Sequence, residues 1–136
     1  EGFIVKGSTT SSNKLDLLKK HHIEGFLVHL NENSISGNYT ELLAESKTVV
    51  INIPPGLKRN PNKNHVAEIA HLVSAIEDHN IKNVLYISST SVFNDETHFL
   101  EIIDTTKPNA ISDSAKQLIE IEQLLQNNPN FYTTII

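Results

Sequence analysis

The chain has 136 residues, 38% of them hydrophobic and 20% charged, with a formal net charge of −5; this is one domain's length with enough apolar content for a packed core. Cys is absent, which excludes disulfides, thiolate metal sites and a cysteine nucleophile and fits a cytoplasmic protein, and no apolar run approaches the about 18 residues of a membrane span. Arg59 is the sole arginine and Lys19-Lys20-His21-His22 is the one short basic cluster, read as the solvated end of a helix, so no basic face for nucleic acid is expected.

Residues 3–5 read as a first strand, followed by the small, hydroxyl-bearing run Gly7-Ser8-Thr9-Thr10-Ser11-Ser12. Asn13 is placed to cap a helix over 14–22 with Leu15, Leu17 and Leu18 turned inward. A second strand follows over 23–30, centred on Phe26, Leu27 and Val28. Residues 31–38 are polar, contain Gly37 and read as a loop, and 39–45 as one or two helical turns. Residues 48–53 are a largely β-branched strand, stopped by Pro54-Pro55-Gly56. After a loop over 57–63, Val66, Ile69, Ala70, Val73 and Ile76 recur at helical spacing and predict an amphipathic helix over 64–80. A strand over 83–87 runs into Ser88-Ser89-Thr90-Ser91, and residues 93–108 look irregular. Ala115, Leu118, Ile119, Ile121, Leu124 and Leu125 predict a helix over 112–126, ended by Asn127-Asn128-Pro129, and 131–136 read as a last strand. Strands alternating with helices predict a single α/β domain with a doubly wound parallel sheet in a three-layer α/β/α arrangement. In it the strands at 49–53 and 84–87 should be adjacent, central and buried on both faces.

Open α/β sheets bind ligands outside the carboxyl ends of their strands. Three such ends have small or hydroxyl-bearing residues here: Gly7 to Ser12, Ile53-Pro54-Pro55-Gly56, and Ser88-Ser89-Thr90-Ser91. Any one of them reads as an ordinary turn; three on one rim point to a ligand that lies close to the backbone and bonds to hydroxyls. Other chemistry is not supported. His21-His22, His65, His71 and His79 show no metal-ligand spacing, so no metal is expected, and Asp95-Glu96 with Asp104 do not make a carboxylate pair. A phosphoacceptor receiver domain would need acids at the strand ends, where Ser, Thr and Pro stand.

Residues 49–56 (VVINIPPG), the helix after them and residues 83–93 (NVLYISSTSVF) together resemble the extended, atypical short-chain dehydrogenase/reductases, the NAD-dependent epimerase/dehydratase group. The opening residues 2–10 resemble that family's second strand and 132–136 its sixth, so the resemblance covers essentially the whole chain. It implies a Rossmann-type fold whose first strand and glycine-rich pyrophosphate loop lie upstream of Glu1. The five glycines, at 2, 7, 25, 37 and 56, do not form that loop. With no Met anywhere, the chain is expected to be a fragment lacking residues at both ends. In Rossmann order the strands at 3–5 and 48–53 would then flank an unfilled strand position.

The resemblance also implies catalytic and cofactor residues. Ser89 matches the family's Ser/Thr that holds the substrate oxygen, and Lys116 matches the Lys that lowers the pKa of the family's Tyr and bonds the nicotinamide ribose. The Tyr itself falls on Ser112, whose hydroxyl is a far weaker acid than a phenol, with its pKa of about 10, and cannot simply replace it; Ser112 reads as a plain helix cap before it reads as catalytic. Cofactor contacts are expected from Ser8, Thr9, Thr10, Ser11 and Lys14, from Ile53, Pro54 and Pro55, and from Ser88 and Lys116. No carboxylate precedes Asp16 at the end of the first strand, which favours NADP over NAD. Ser89, Ser112 and Lys116 should converge near Pro54-Pro55. The implied function is an NAD(P)-dependent oxidoreductase or epimerase/dehydratase acting on a sugar-like or small hydroxyl/carbonyl substrate. The alternatives are a catalytically inactive NADP-binding sensor or scaffold and an interaction domain without ligand. The helices at 64–80 and 112–126 are those the family uses for dimer packing, implying a homodimer.

Overall fold

The computed structural model describes residues 2–93 and 106–136. Asp95, Glu96, Asp104 and most of the segment read as irregular lie outside them.

The first strand, β1 (Lys6–Thr9), begins three residues later than Phe3-Ile4-Val5 predicts. Phe3 and Ile4 are exposed, and the strand is set instead by its parallel partner β2 (Glu24–Asn31), from Lys6 opposite Glu24 to Thr9 opposite Leu27. Ser8 and Thr9 therefore belong to the strand and not to the loop after it. A 3-10 turn, Ser12–Lys14, takes in Asn13, which makes no cap, and leads into α1 (Leu15–Lys20). Leu15 and Leu18 turn inward while Leu17 is exposed, contrary to expectation. Gly25 lets this short helix lie close to the sheet: a Cβ there would come within 3.1 Å of Leu15 and 3.2 Å of Leu18.

The predicted loop at 31–38 contains a strand, β3 (Ser34–Gly37), antiparallel to β2 with Val28 opposite Gly37. Asn31 makes the reversal, its Oδ1 accepting from the backbone of Asn33 at 2.9 Å and Ser34 at 3.1 Å, the Asx turn that favours Asn here. Next comes α2 (Tyr39–Leu43). Lys6 Nζ donates to the carbonyls of Glu41 (2.8 Å) and Ala44 (2.7 Å), meeting acceptors that the helix end leaves open.

Three strands form the second sheet: β4 (Thr48–Ile51), β5 (Asn83–Tyr86) and β6 (Tyr132–Ile135). They are parallel, with Ile51, Tyr86 and Ile135 in register. α3 (His65–Asp78) and α4 (Asp113–Gln126) start where predicted, capped by the side chains of Asn64 and Ser112. One sheet face, carrying Ile51, Val84 and Tyr86, joins Ile69, Val73 and Ile76 of α3 and Leu118, Ile121 and Leu125 of α4 in one core. Each such side chain removed from water contributes about 1.5–3 kcal/mol. Alternation sends the intervening residues to the other face, where Val50 (59%) and Tyr132 (82%) are exposed. Among the described residues, then, β4 is adjacent to β5 as expected, but it is an edge strand covered on one face.

The strands fall into two sheets, β1-β2-β3 and β4-β5-β6. β1 and β4 do not pair. The strands can be set out as β3-β2-β1 and β4-β5-β6, which is compatible with a Rossmann order, in which β1 and β4 are not neighbours. α3 also lies against β2 and β3. Glu32, in the hairpin turn, accepts from Asn64 N at 2.9 Å, and its carbonyl is 3.2 Å from His71 Nε2.

Candidate functional site at the strand carboxyl ends

β1 ends in hydroxyls held by their own turn. Thr9 Oγ1 accepts from Ser11 N at 3.1 Å, while Ser8, Thr10 and Lys14 are exposed. At the end of β4, Ile53 and Pro55 are half-buried and Pro54 exposed. At the end of β5 the ladder runs on, with Ile87 N donating to Ile51 O (2.9 Å) and Ser88 N to Ile136 O (2.8 Å). The Ser88 hydroxyl turns inward and donates to Glu122 Oε1. Ser89 is exposed and caps a 3-10 turn, Thr90–Val92, accepting from Ser91 N at 3.2 Å; that leaves its hydroxyl able to donate.

α4 packs against this turn, and Asn109 N donates to Val92 O at 2.9 Å. The Ser89 turn and the start of α4 are thus neighbours. Ser112 caps α4, its Oγ accepting from Ala115 N at 3.2 Å. Lys116 is 55% exposed and pairs with Asp113 at 3.6 Å, a contact worth little in water and easily exchanged for a ligand oxygen. The β1 hydroxyls and Lys14 sit at the end of the other sheet.

A polar network beneath the Pro54-Pro55 turn was not foreseen. His65 is fully buried. Its Nδ1 lies 2.9 Å from Glu68 Oε2 and its Nε2 3.2 Å from Ile53 O. Lys63 Nζ reaches the same Glu68 oxygen at 2.8 Å. Gln117 of α4 accepts from His65 N at 2.6 Å and donates to Lys63 O at 3.0 Å. The signal available was His65 and Glu68 three apart in a first helical turn, after a double proline. Among the described residues no group of His, Asp and Glu could hold a metal.

Deeper still, the Tyr86 phenol is buried without a hydrogen-bond partner among the described residues. Burial, assisted by the charge of Glu122, pushes its pKa up to about 12.

Solved structures share this fold over about half of their own length. MoeE5 in complex with UDP-glucose and NAD aligns with a TM-score of 0.64 at 15% identity, over 98% of this chain and 52% of that one. RMD from Pseudomonas aeruginosa, complexed with NADPH, aligns at 0.60 and 14% identity over 98% and 53%. A candidate NAD-dependent epimerase/dehydratase from Methylobacillus flagellatus aligns at 0.59 and 17% over 96% and 51%. The chain has the fold of the NAD-dependent epimerase/dehydratases. In this Rossmann-like fold the rim of strand carboxyl ends is where ligands bind. No protein-family model matches the chain. Protein YeeZ of Escherichia coli K12 is 24% identical over 136 residues, 99% of this chain and 49% of YeeZ. The protein of the same name from strain O157:H7 matches equally. The chain spans about half the length of the curated relatives it matches.

Proposed function

We propose that these residues form part of the dinucleotide site of an NAD(P)-dependent oxidoreductase or epimerase/dehydratase acting on a sugar-like or other small hydroxyl- or carbonyl-bearing substrate. The observation that carries the proposal is the meeting of the Ser89 turn with the start of α4, which bears Lys116, at the carboxyl rim. The aligned structures with NAD, NADPH, UDP-glucose and UDP-glucuronic acid support this reading.

The donor set suits the two ends of such a cofactor. Lys116 would exchange Asp113 for a ribose hydroxyl, Ser89 would donate to the substrate oxygen, and the Pro54-Pro55 turn would line the cofactor between them. Thr10, Ser11 and Lys14, with no carboxylate between the end of β1 and Asp16, suit a 2′-phosphate and so favour NADP over NAD. The glycines of the chain offer no loop for the pyrophosphate. When bound, the nicotinamide gives or takes the hydride; the residues here orient it and hold the oxygen that is oxidised or reduced. A homodimer joined through α3 and α4 belongs to the same proposal. No helix among the described residues is long and apolar enough to cross a membrane, and a cytoplasmic location is proposed with the rest.

One observation favours a second reading. The Ser112 hydroxyl accepts the Ala115 amide where the family has a phenol, so no strong proton donor stands there, and a binding-only NADP sensor or scaffold would need none. NADPH binding and NADPH-dependent turnover, measured together against a panel of nucleotide sugars and small carbonyl compounds, separate the two. Turnover supports the enzyme; tight binding without turnover across the panel supports the sensor; no binding of either dinucleotide ends both.

A further inference from the structure

We propose that Gln117, backed by His65, Glu68 and Lys63, is a positioning residue: it fixes the start of α4, and with it the direction of Lys116, relative to the carboxyl end of β4. The proposal rests on the dinucleotide reading of the rim only for its effect on cofactor affinity.

Gln117 makes two bonds that leave its amide a single orientation. His65 N–H donates, so it needs the amide oxygen; Lys63 C=O accepts, so it needs the amide nitrogen. A flipped amide would lose both. Both partners are backbone groups, so the bonds tie α4 to the chain path of its neighbour and not to a mobile side chain. That path is itself pinned. The buried ring of His65 lies between Ile53 O and Glu68 Oε2, one ring nitrogen at each. The Glu68 carboxylate is in turn held by Lys63, whose carbonyl receives Gln117. The path therefore runs from the end of β4 through His65, Glu68 and Lys63 to α4, and it bridges the proline-containing, non-helical stretch at 54–64.

Stability alone does not account for this. A buried ion pair is often no better for stability than apolar residues of the same volume, and α4 is already anchored by Leu118, Ile121 and Leu125. What the polar path adds is registry. Lys116 follows its neighbour's orientation at about 100° around the helix, so a Gln117 held inward holds Lys116 at the exposed rim.

The test compares Gln117→Leu, which keeps the volume and loses both bonds, with Gln117→Glu, which keeps the acceptor for His65 N. Backbone amide resonances are read first, without cofactor. Gln117→Leu should move those of residues 53–55 and of 113–116 together, with smaller shifts in Gln117→Glu. NADPH affinity is read second. Gln117→Leu should weaken it by no more than Lys116→Ala does, and should add little to Lys116→Ala, because it acts through Lys116. Unmoved resonances at 113–116, or full additivity with Lys116→Ala, would overturn the proposal. If the unmodified protein binds no dinucleotide, the cofactor reading fails, and the resonances still decide whether the two segments are coupled.

Discussion

Tyr86 brings a hydroxyl into the core where it meets no hydrogen-bond partner among the described residues. An unmatched buried hydroxyl costs about 1–3 kcal/mol, so Tyr86→Phe is expected to be as stable as the parent or more so by up to that amount, measured by urea unfolding. The pH dependence has a definite sign. With its pKa pushed from 10 up to about 12 by burial and Glu122, the phenol ionises more readily in the unfolded chain. Stability is then complete below pH 10 and falls as pH rises towards 12, and Tyr86→Phe should flatten this alkaline limb. Glu77 behaves oppositely. Hydrogen bonds from Asn128 (2.7 Å) and Asn130 (2.9 Å) lower its pKa below the usual 4.5. Its contribution is present above pH 4.5 and is lost as the pH drops below, so the stability gap between parent and Glu77→Gln should close on acidification. Some of this scale was legible in the sequence: Ser112 is the helix cap that the sequence allowed for it. The inward turn of Ser88 was not, because Glu122 lies 34 residues away.

At the scale of elements, α3 and α4 were legible almost to the residue, since spacing and cap are local. β1 was not. Phe3-Ile4-Val5 are the more apolar residues, yet pairing with β2 selects Lys6–Thr9, and parallel registry is a long-range property. β3 was hidden by its polar alternation of Ser34 and Ser36 around Ile35. The hairpin's exit depends on Gly37, at φ +89°, where a Cβ would run into the Leu27 carbonyl oxygen. Gly37→Ala should destabilise the protein by about 1–3 kcal/mol, measurable as a lower urea midpoint with the slope unchanged. A variant as stable as the parent would mean that the hairpin relaxes freely.

For the whole molecule, parallel strands were expected from the alternation of strands and helices, and their Rossmann-like order from the family resemblance. The separation of β1 from β4 into two sheets was expected from the family resemblance; what local patterning could not reveal is the exposure of Val50 and Tyr132 on a face that parallel sheets normally cover. The rim nevertheless gathers the Ser89 turn and the helix bearing Lys116, and the central claim is that this rim binds the nicotinamide end of a dinucleotide. The most direct measurement is the NADPH dissociation constant of the protein and of its Lys116→Ala variant, followed by nicotinamide fluorescence. Loss of a charge-assisted hydrogen bond predicts weakening by about 1–3 kcal/mol, roughly 5- to 150-fold, in the variant. Equal dissociation constants for the two proteins would make Lys116 a surface residue and contradict the account.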